Sequence, residues 1–261
     1  MGRYALILSG QPRYRQGVVE LLLQNIVLPN NCDVFGFFWI YQDEDTVKKN
    51  IWPDIPNKDV IQRDITVVTQ WRNNVHAIAS ILPFTKLAVC NQIPFSDTRF
   101  GPGTMDLPAL DVLGQEVFDQ SMKRWNISVQ SQFYGVWAVG QLLQEYEKEH
   151  NFRYDGVFRI RTDILIENPI YFDTMDASKL NLYMKDEGKS HFDFCAYGNS
   201  DFMKIYCDYY HHLDWIYSEP YDELSCCEKH LLKYFDHYLP KGKKDIIHNN
   251  FGCTKGLEII Y

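Results

Sequence analysis

The sequence has no apolar run near the ~18 residues that a membrane span requires, no C-x-x-C pair, no glycine-rich loop and no excess of basic charge. Each absence excludes something. Without a long apolar run the chain carries no membrane segment, and Tyr4-Ala5-Leu6-Ile7-Leu8, broken at once by Ser9-Gly10-Gln11-Pro12, is too short for the apolar region of a signal peptide. With 26 Lys and Arg against 34 Asp and Glu, a formal net charge of -8, neither a nucleic-acid backbone nor an anionic membrane surface is expected as the main partner, since both demand a basic face. Seven cysteines, at 32, 90, 195, 207, 226, 227 and 253, lack the spacing of a zinc or redox motif and read as buried free thiols of a reducing compartment. A soluble, cytoplasmic protein without internal repeats is the expectation.

What is present is material for a core. The 261 residues are 46% hydrophobic and 15% aromatic, enough for one sizeable α/β domain. Tyr4 to Leu8 has the unbroken apolar character of a strand buried on both faces, Val18 to Ile26 carries a helical apolar stripe, and Asp33 to Trp39 supplies a second buried strand. That is a βαβ unit. Asp43 to Asp64 reads as loops around a short helix, Ile65 to Val68 as a third strand, and Asn91 to Pro108, with its prolines and Gly101-Pro102-Gly103, as a long irregular loop. A helix is predicted from Ser131 to His150, with Ser128 or Ser131 as its N-cap. Strands follow at Val157 to Ile166, Lys179 to Met184 and Phe192 to Tyr197, then a helix at Glu223 to Tyr238 and a short terminal strand at Leu257 to Tyr261.

The chemistry concentrates at Arg159-Ile160-Arg161-Thr162-Asp163. On one continuous strand, alternation puts Arg159, Arg161 and Asp163 on the same side, with the carboxylate last, at the end where open α/β sheets bind ligands. A carboxylate there can hold Mg²⁺ or Mn²⁺, and the arginines can meet a diphosphate. They can equally form an ion-pair ladder with Asp163. Ser9-Gly10-Gln11-Pro12-Arg13 follows the first strand directly: Gly10 permits close backbone approach, and Ser9, Gln11 and Arg13 offer polar contacts to a base, ribose or phosphate.

Taken in order, Ala5 to Arg13, Asp33-Val34-Phe35, Ser131 to Tyr134 and Tyr154 to Asp163 resemble the GT-A-like glycosyltransferases of bacterial surface-polysaccharide clusters and large DNA viruses. The resemblance implies one GT-A, Rossmann-like domain over residues 1–261: a central, mostly parallel sheet flanked by helices, with a nucleotide-binding half at 1–90 and a metal and acceptor half at 109–261. It also implies a hexosyl- or pentosyltransferase that uses a nucleotide-diphosphate sugar donor, a glycan acceptor and a Mn²⁺ or Mg²⁺ ion on the diphosphate. Asp163 takes the second position of the family's Asp-x-Asp metal motif, and Arg161 stands where the first aspartate would be. His248 is a further candidate metal ligand. Ser9, Gly10, Gln11, Arg13, Arg159 and Arg161 are the candidate donor contacts.

An inverting transferase needs a carboxylate to take the acceptor proton. Glu228 and Asp193 are the candidates, with Asp201 of Asn199-Ser200-Asp201 a further acid after the same strand. Tyr209 to Trp215 forms an aromatic cluster suited to stacking on an acceptor sugar, or to packing in the core. Two other readings stand beside the transferase. One is a sugar-phosphate nucleotidyltransferase, disfavoured by the single glycine in the 9–13 turn. The other is a non-catalytic nucleotide-sugar or carbohydrate-binding protein, which the missing first aspartate permits.

Overall fold

A computed structural model describes the backbone of residues 2–40, 70–91, 93, 95, 115–184, 195–218, 227–248 and 257–259; the side chains of 115–127, 183–184, 216–218, 227–230, 246–248 and 257–259 fall outside that description. β1 (Tyr4–Gly10) sends Ala5 and Ile7 to one face of the sheet and Leu6 and Leu8 to the other. β2 (Asp33–Ile40) does the same with Phe35, Phe37 and Trp39 against Val34 and Phe38. Both faces are apolar because both are covered.

Between these strands α1 (Val18–Leu22), a π-helical turn (Leu23–Val27) and α2 (Leu28–Asn30) form one helical stretch. Val19, Leu22 and Ile26, at spacings of three and four, are fully buried against the Leu6 and Leu8 face. Asn31, at φ 45°, turns the chain out of the helix. α3 (Trp71–Ile81) adds Val75 and Ile78 to the same layer and leads into β3 (Phe84–Asn91). α4 (Gln115–His150) crosses the opposite face, burying Phe133, Val136, Val139 and Leu143 against Ile7, Phe35 and Phe37. Each such side chain contributes on the order of 1.5–3 kcal/mol by leaving water.

After α4 come β4 (Gly156–Ile160), β5 (Ile164–Ile166), β6 (Leu180–Met184), β7 (Cys195–Gly198), α5 (Ser200–Asp208), α6 (Leu213–Ser218), α7 (Cys227–Tyr238), β8 (Lys244–His248) and β9 (Leu257–Ile259). The main sheet has the order β3-β2-β1-β4-β7-β6-β8. β3, β2, β1 and β4 run parallel, β7 is antiparallel to both β4 and β6, and β8 is parallel to β6. This is the expected α/β class, a mostly parallel sheet flanked by helices. The chain steps outward from β1 to β2 and β3, then returns through α4 to set β4 on the other side of β1. The strand order therefore reverses between β1 and β4, and a crevice at such a point is where open α/β sheets bind ligands.

Several expectations change. The helix predicted from Ser131 begins at Gln115, so Ser128 and Ser131 are interior rather than caps. The strand predicted over Val157 to Ile166 is two strands, because β5 leaves the main sheet to pair antiparallel with β9. Arg161, Thr162 and Asp163 form the turn between them. α3 and β3 are additional elements. The predicted strand at Ile65 to Val68, the reading of Asp43 to Asp64 and nearly all of the predicted loop at Asn91 to Pro108 lie outside the described residues.

Candidate active site

The loop after β1 and the turn after β4 emerge side by side, since Leu8 is the partner of Ile160. An ion pair joins them: Arg13 Nη1 donates to Asp163 Oδ2 at 2.8 Å. Arg161 grips the same carboxylate from within the turn, donating Nε to Oδ1 at 2.8 Å and Nη2 to Oδ2 at 2.5 Å. Both oxygens of Asp163 are thus held by guanidinium groups. Gln11 Oε1 accepts from Arg13 Nη2 at 3.2 Å, and Asn74 of α3 donates to the Pro12 carbonyl at 2.9 Å, which fixes the loop to the helical layer.

Asp163 is only 5% exposed, whereas the Arg13 side chain is 44% exposed. Burial pushes the Asp163 carboxyl up, but the hydrogen bonds and charges of Arg161 and Arg13 outweigh it and hold the group below its usual value of 3.8. It stays ionised. The cluster sums to two guanidinium charges against one carboxylate, and buried Arg159 adds a third on the adjoining strand β4.

Arg159 lies on β4 between the partners Ile7 and Ala196, on the face covered by α4 and α5. It is 1% exposed, and its Nε and Nη1 have no hydrogen-bond partner among the described residues. Ser9 is also buried with an unpartnered Oγ. Alternation along β1 puts it on the face of Ile7, so Ser9 and Arg159 are diagonal neighbours across the β1–β4 pair. Gly10 has φ 108°, a conformation that side chains resist, and the direction a Cβ would take is open. Gly135 of α4 approaches the Gly10 backbone closely, a Cβ there falling 3.5 Å from the Gly10 nitrogen.

Next to Gly135 stands Tyr134, the centre of an aromatic group. Its ring is 5.3 Å from Trp39, 5.2 Å from Trp137 and 5.3 Å from Tyr210 between centroids, and His211 packs on Trp137. The aromatic cluster predicted at Tyr209 to Trp215 therefore divides. Tyr209 and Leu213 are buried core residues, while Tyr210 and His211 join Tyr134 and Trp137 beside the crevice. In the sequence Trp137 was legible only as a helix-stripe residue, and Tyr134 only as part of the segment Ser131 to Tyr134.

The remaining candidates are placed less closely. β7 begins with Cys195 opposite Ile160, at the crevice end, but Asp193 itself lies outside the described residues. β7 runs away from the crevice, so Asp201 sits at the opposite end of the sheet, 75% exposed and paired with Arg153 at 3.1 Å. An acceptor role for Asp201 at this crevice is therefore ruled out by strand direction. Glu228 is in the first turn of α7 and His248 ends β8, with both side chains outside the description. β8 is three strands from β4, about 14 Å at ~4.8 Å per strand.

A divalent cation would need open oxygen ligands at roughly 2.0–2.2 Å. In this arrangement three of the about four lone-pair sites of Asp163 are taken by guanidinium N–H bonds, and no group of three or more His, Cys, Asp or Glu gathers to hold a metal among the described residues. The cluster as it stands does not fit a cation.

A concavity lies at the other end of the sheet, lined by Arg153, Asp155, Ser178, Asn199 and Asp201 among others. Its polar groups are satisfied locally: buried Glu147 accepts from Arg153, Ser200 and the Tyr154 N–H, and Asn199 caps α5 by accepting from the Phe202 N–H.

No family model matches the chain, and no curated protein matches it in sequence. Among solved structures it is similar to mouse xyloside xylosyltransferase 1 in its apo form, at 8% identity and a TM-score of 0.41, covering 95% of this chain and 86% of that one. It is also similar to a protein from Desulfovibrio desulfuricans G20 provisionally assigned as a nucleotide-diphospho-sugar transferase, at 9% identity and a TM-score of 0.35, covering 95% and 80%. No helix among the described residues is long and apolar enough to cross a membrane.

Proposed function

We propose that this chain is a glycosyltransferase that moves a sugar from a nucleoside-diphosphate donor to an acceptor hydroxyl. The observation that carries the reading is the Arg13–Asp163–Arg161 cluster, which bridges the two loops at the point where the strand order reverses. Net positive charge at that place suits a diphosphate, which leaves with the electron pair of the broken bond. The acceptor oxygen forms a bond to the anomeric carbon as the bond from that carbon to the β-phosphate oxygen breaks. In an inverting reaction the acceptor proton passes to a carboxylate, a role assigned here to Asp193 or Glu228. Gly10 and Ser9 line the nucleoside side, and Tyr134, Trp137, Tyr210 and His211 supply the apolar and polar faces on which an acceptor sugar stacks.

The test is a panel of nucleotide sugars with nucleoside-diphosphate release as the readout. Release from at least one donor, lost in Asp163→Ala while the circular dichroism spectrum is retained, supports the reading. Undiminished release by that variant sinks it. Pyrophosphate release from a nucleoside triphosphate and a sugar phosphate would instead identify a nucleotidyltransferase, and donor binding without turnover would identify a binding protein.

A further inference from the structure

We infer that arginine guanidinium groups, not a divalent cation, neutralise the diphosphate in this crevice, and that Asp163 is a positioning residue that holds Arg13 and Arg161 in place. The inference rests on the glycosyltransferase reading and deepens it. Two observations converge on it. First, three of the about four lone-pair sites of the Asp163 carboxylate accept guanidinium N–H bonds, two of them on Oδ2 and one on Oδ1. To bind Mn²⁺ the carboxylate would have to release charge-assisted bonds from two arginines and accept a dication amid three guanidinium charges, which repel it.

Second, Arg159 is a buried cation whose Nε and Nη1 have no hydrogen-bond partner among the described residues. Burying a charge without a partner is costly, and removing one from water is repaid only by an anion with good geometry. Ser9 Oγ, unpartnered among the described residues and diagonal to Arg159 on the same sheet face, is a neutral donor of the kind that completes an oxyanion site. The summed charge of Arg13, Arg159, Arg161 and Asp163 is +2, opposite and equal to that of a nucleoside-diphosphate sugar with both phosphates ionised. A Mn²⁺ ion would raise the local charge to +4 and leave it unbalanced.

Asp163 acts through the arginines. Its carboxylate orients two flexible side chains from two different loops toward one point, and Arg161, gripped through Nε and one Nη, has the planar fork that a lysine lacks.

The experiment is calorimetry on the full chain with UDP, GDP, ADP and CDP, each in EDTA and in Mn²⁺, for the natural protein, Asp163→Asn and Arg161→Gln. At least one nucleoside diphosphate is expected to bind in EDTA with an affinity within about 3-fold of that in Mn²⁺. Arg161→Gln is expected to weaken binding by about 10-fold or more, in line with loss of a charge-assisted bond. Asp163→Asn is expected to weaken it by a similar factor in EDTA and in Mn²⁺ alike, while the thermal unfolding transition stays cooperative. Binding that appears only with Mn²⁺, and whose Mn²⁺ dependence vanishes in Asp163→Asn, overturns the inference and leaves the transferase reading intact. Absence of binding to every nucleotide in both conditions overturns both.

Discussion

Arg13 Nη1 and Asp163 Oδ2 meet at 2.8 Å across 150 residues of sequence, so one ion pair ties the loop after β1 to the turn after β4. Its two partners differ in solvent exposure, and the consequences of removing them differ accordingly. Removing Asp163 leaves two guanidinium groups facing one another and strips three charge-assisted bonds at once; removing Arg13 leaves a carboxylate that Arg161 still holds.

Asp163→Ala is therefore expected to cost about 2–4 kcal/mol of stability, toward the level of breaking a buried pair. Arg13→Ala is expected to cost less than about 1 kcal/mol, as for an exposed pair, yet to lower kcat/KM by about 10²-fold through lost stabilisation of the leaving diphosphate. Urea unfolding of the two variants and donor turnover by Arg13→Ala check the contrast.

The pH dependence has a definite sign. Because the folded Asp163 carboxyl lies below its ordinary 3.8, its stabilising contribution is fully present above that value and is lost as pH falls through the lower, folded one. The stability difference between the natural protein and Asp163→Asn is predicted to be constant from about pH 5 to pH 8 and to shrink only below about pH 4. A difference that already decays between pH 7 and pH 5 would mean that the arginines do not hold the group.

Two glycines should respond differently to a methyl group. At Gly10 the space is open and only the backbone is strained, so Gly10→Ala is expected to cost about 1–2 kcal/mol. At Gly140 of α4 an added Cβ would fall 2.6 Å from the Cys207 Cβ of α5, so Gly140→Ala must push the two helices apart. A cost of about 1–3 kcal/mol is expected from overpacking. Only Gly10→Ala should also impair donor binding, and paired unfolding and binding measurements distinguish the cases.

Cysteine reactivity follows burial. Cys207 is enclosed between α4 and α5, and burial pushes its thiol up to about 12 against a smaller opposing pull from Arg159. Cys32 is likewise pushed up to about 12 by burial, and Cys195 is buried. Cys90 is exposed. Peptide mapping after brief maleimide treatment of the folded protein is predicted to find Cys90 modified and Cys32, Cys195 and Cys207 intact.

Much of the crevice was legible because its parts are local. An apolar run ended by Ser9 and Gly10 announces a buried strand and its turn, and Arg161 and Asp163 sit in the next such ending. The single strand face predicted for Arg159, Arg161 and Asp163 does not form. Alternation carries Arg159, Arg161 and Asp163 to one face only if the strand continues, and it stops at Ile160 because β5 takes β9, some ninety residues later, as its partner. No local pattern displays a partner that distant. α3 was available in the spacing of Trp71, Val75 and Ile78, whereas β3 is a half-buried edge strand whose residues alternate weakly. The burial of Arg159, with Nε and Nη1 unpartnered among the described residues, is a property of the fold alone: in sequence it is one more arginine beside Arg161.

Photo-crosslinking with an azido-substituted nucleoside diphosphate, followed by peptide mapping, tests the placement of the donor site most directly. The predicted result is label on peptides containing residues 9–13 or 159–163, suppressed by excess unmodified nucleotide and by Arg161→Gln. Competed label confined to the opposite end of the sheet, around Arg153 and Asp201, would contradict it.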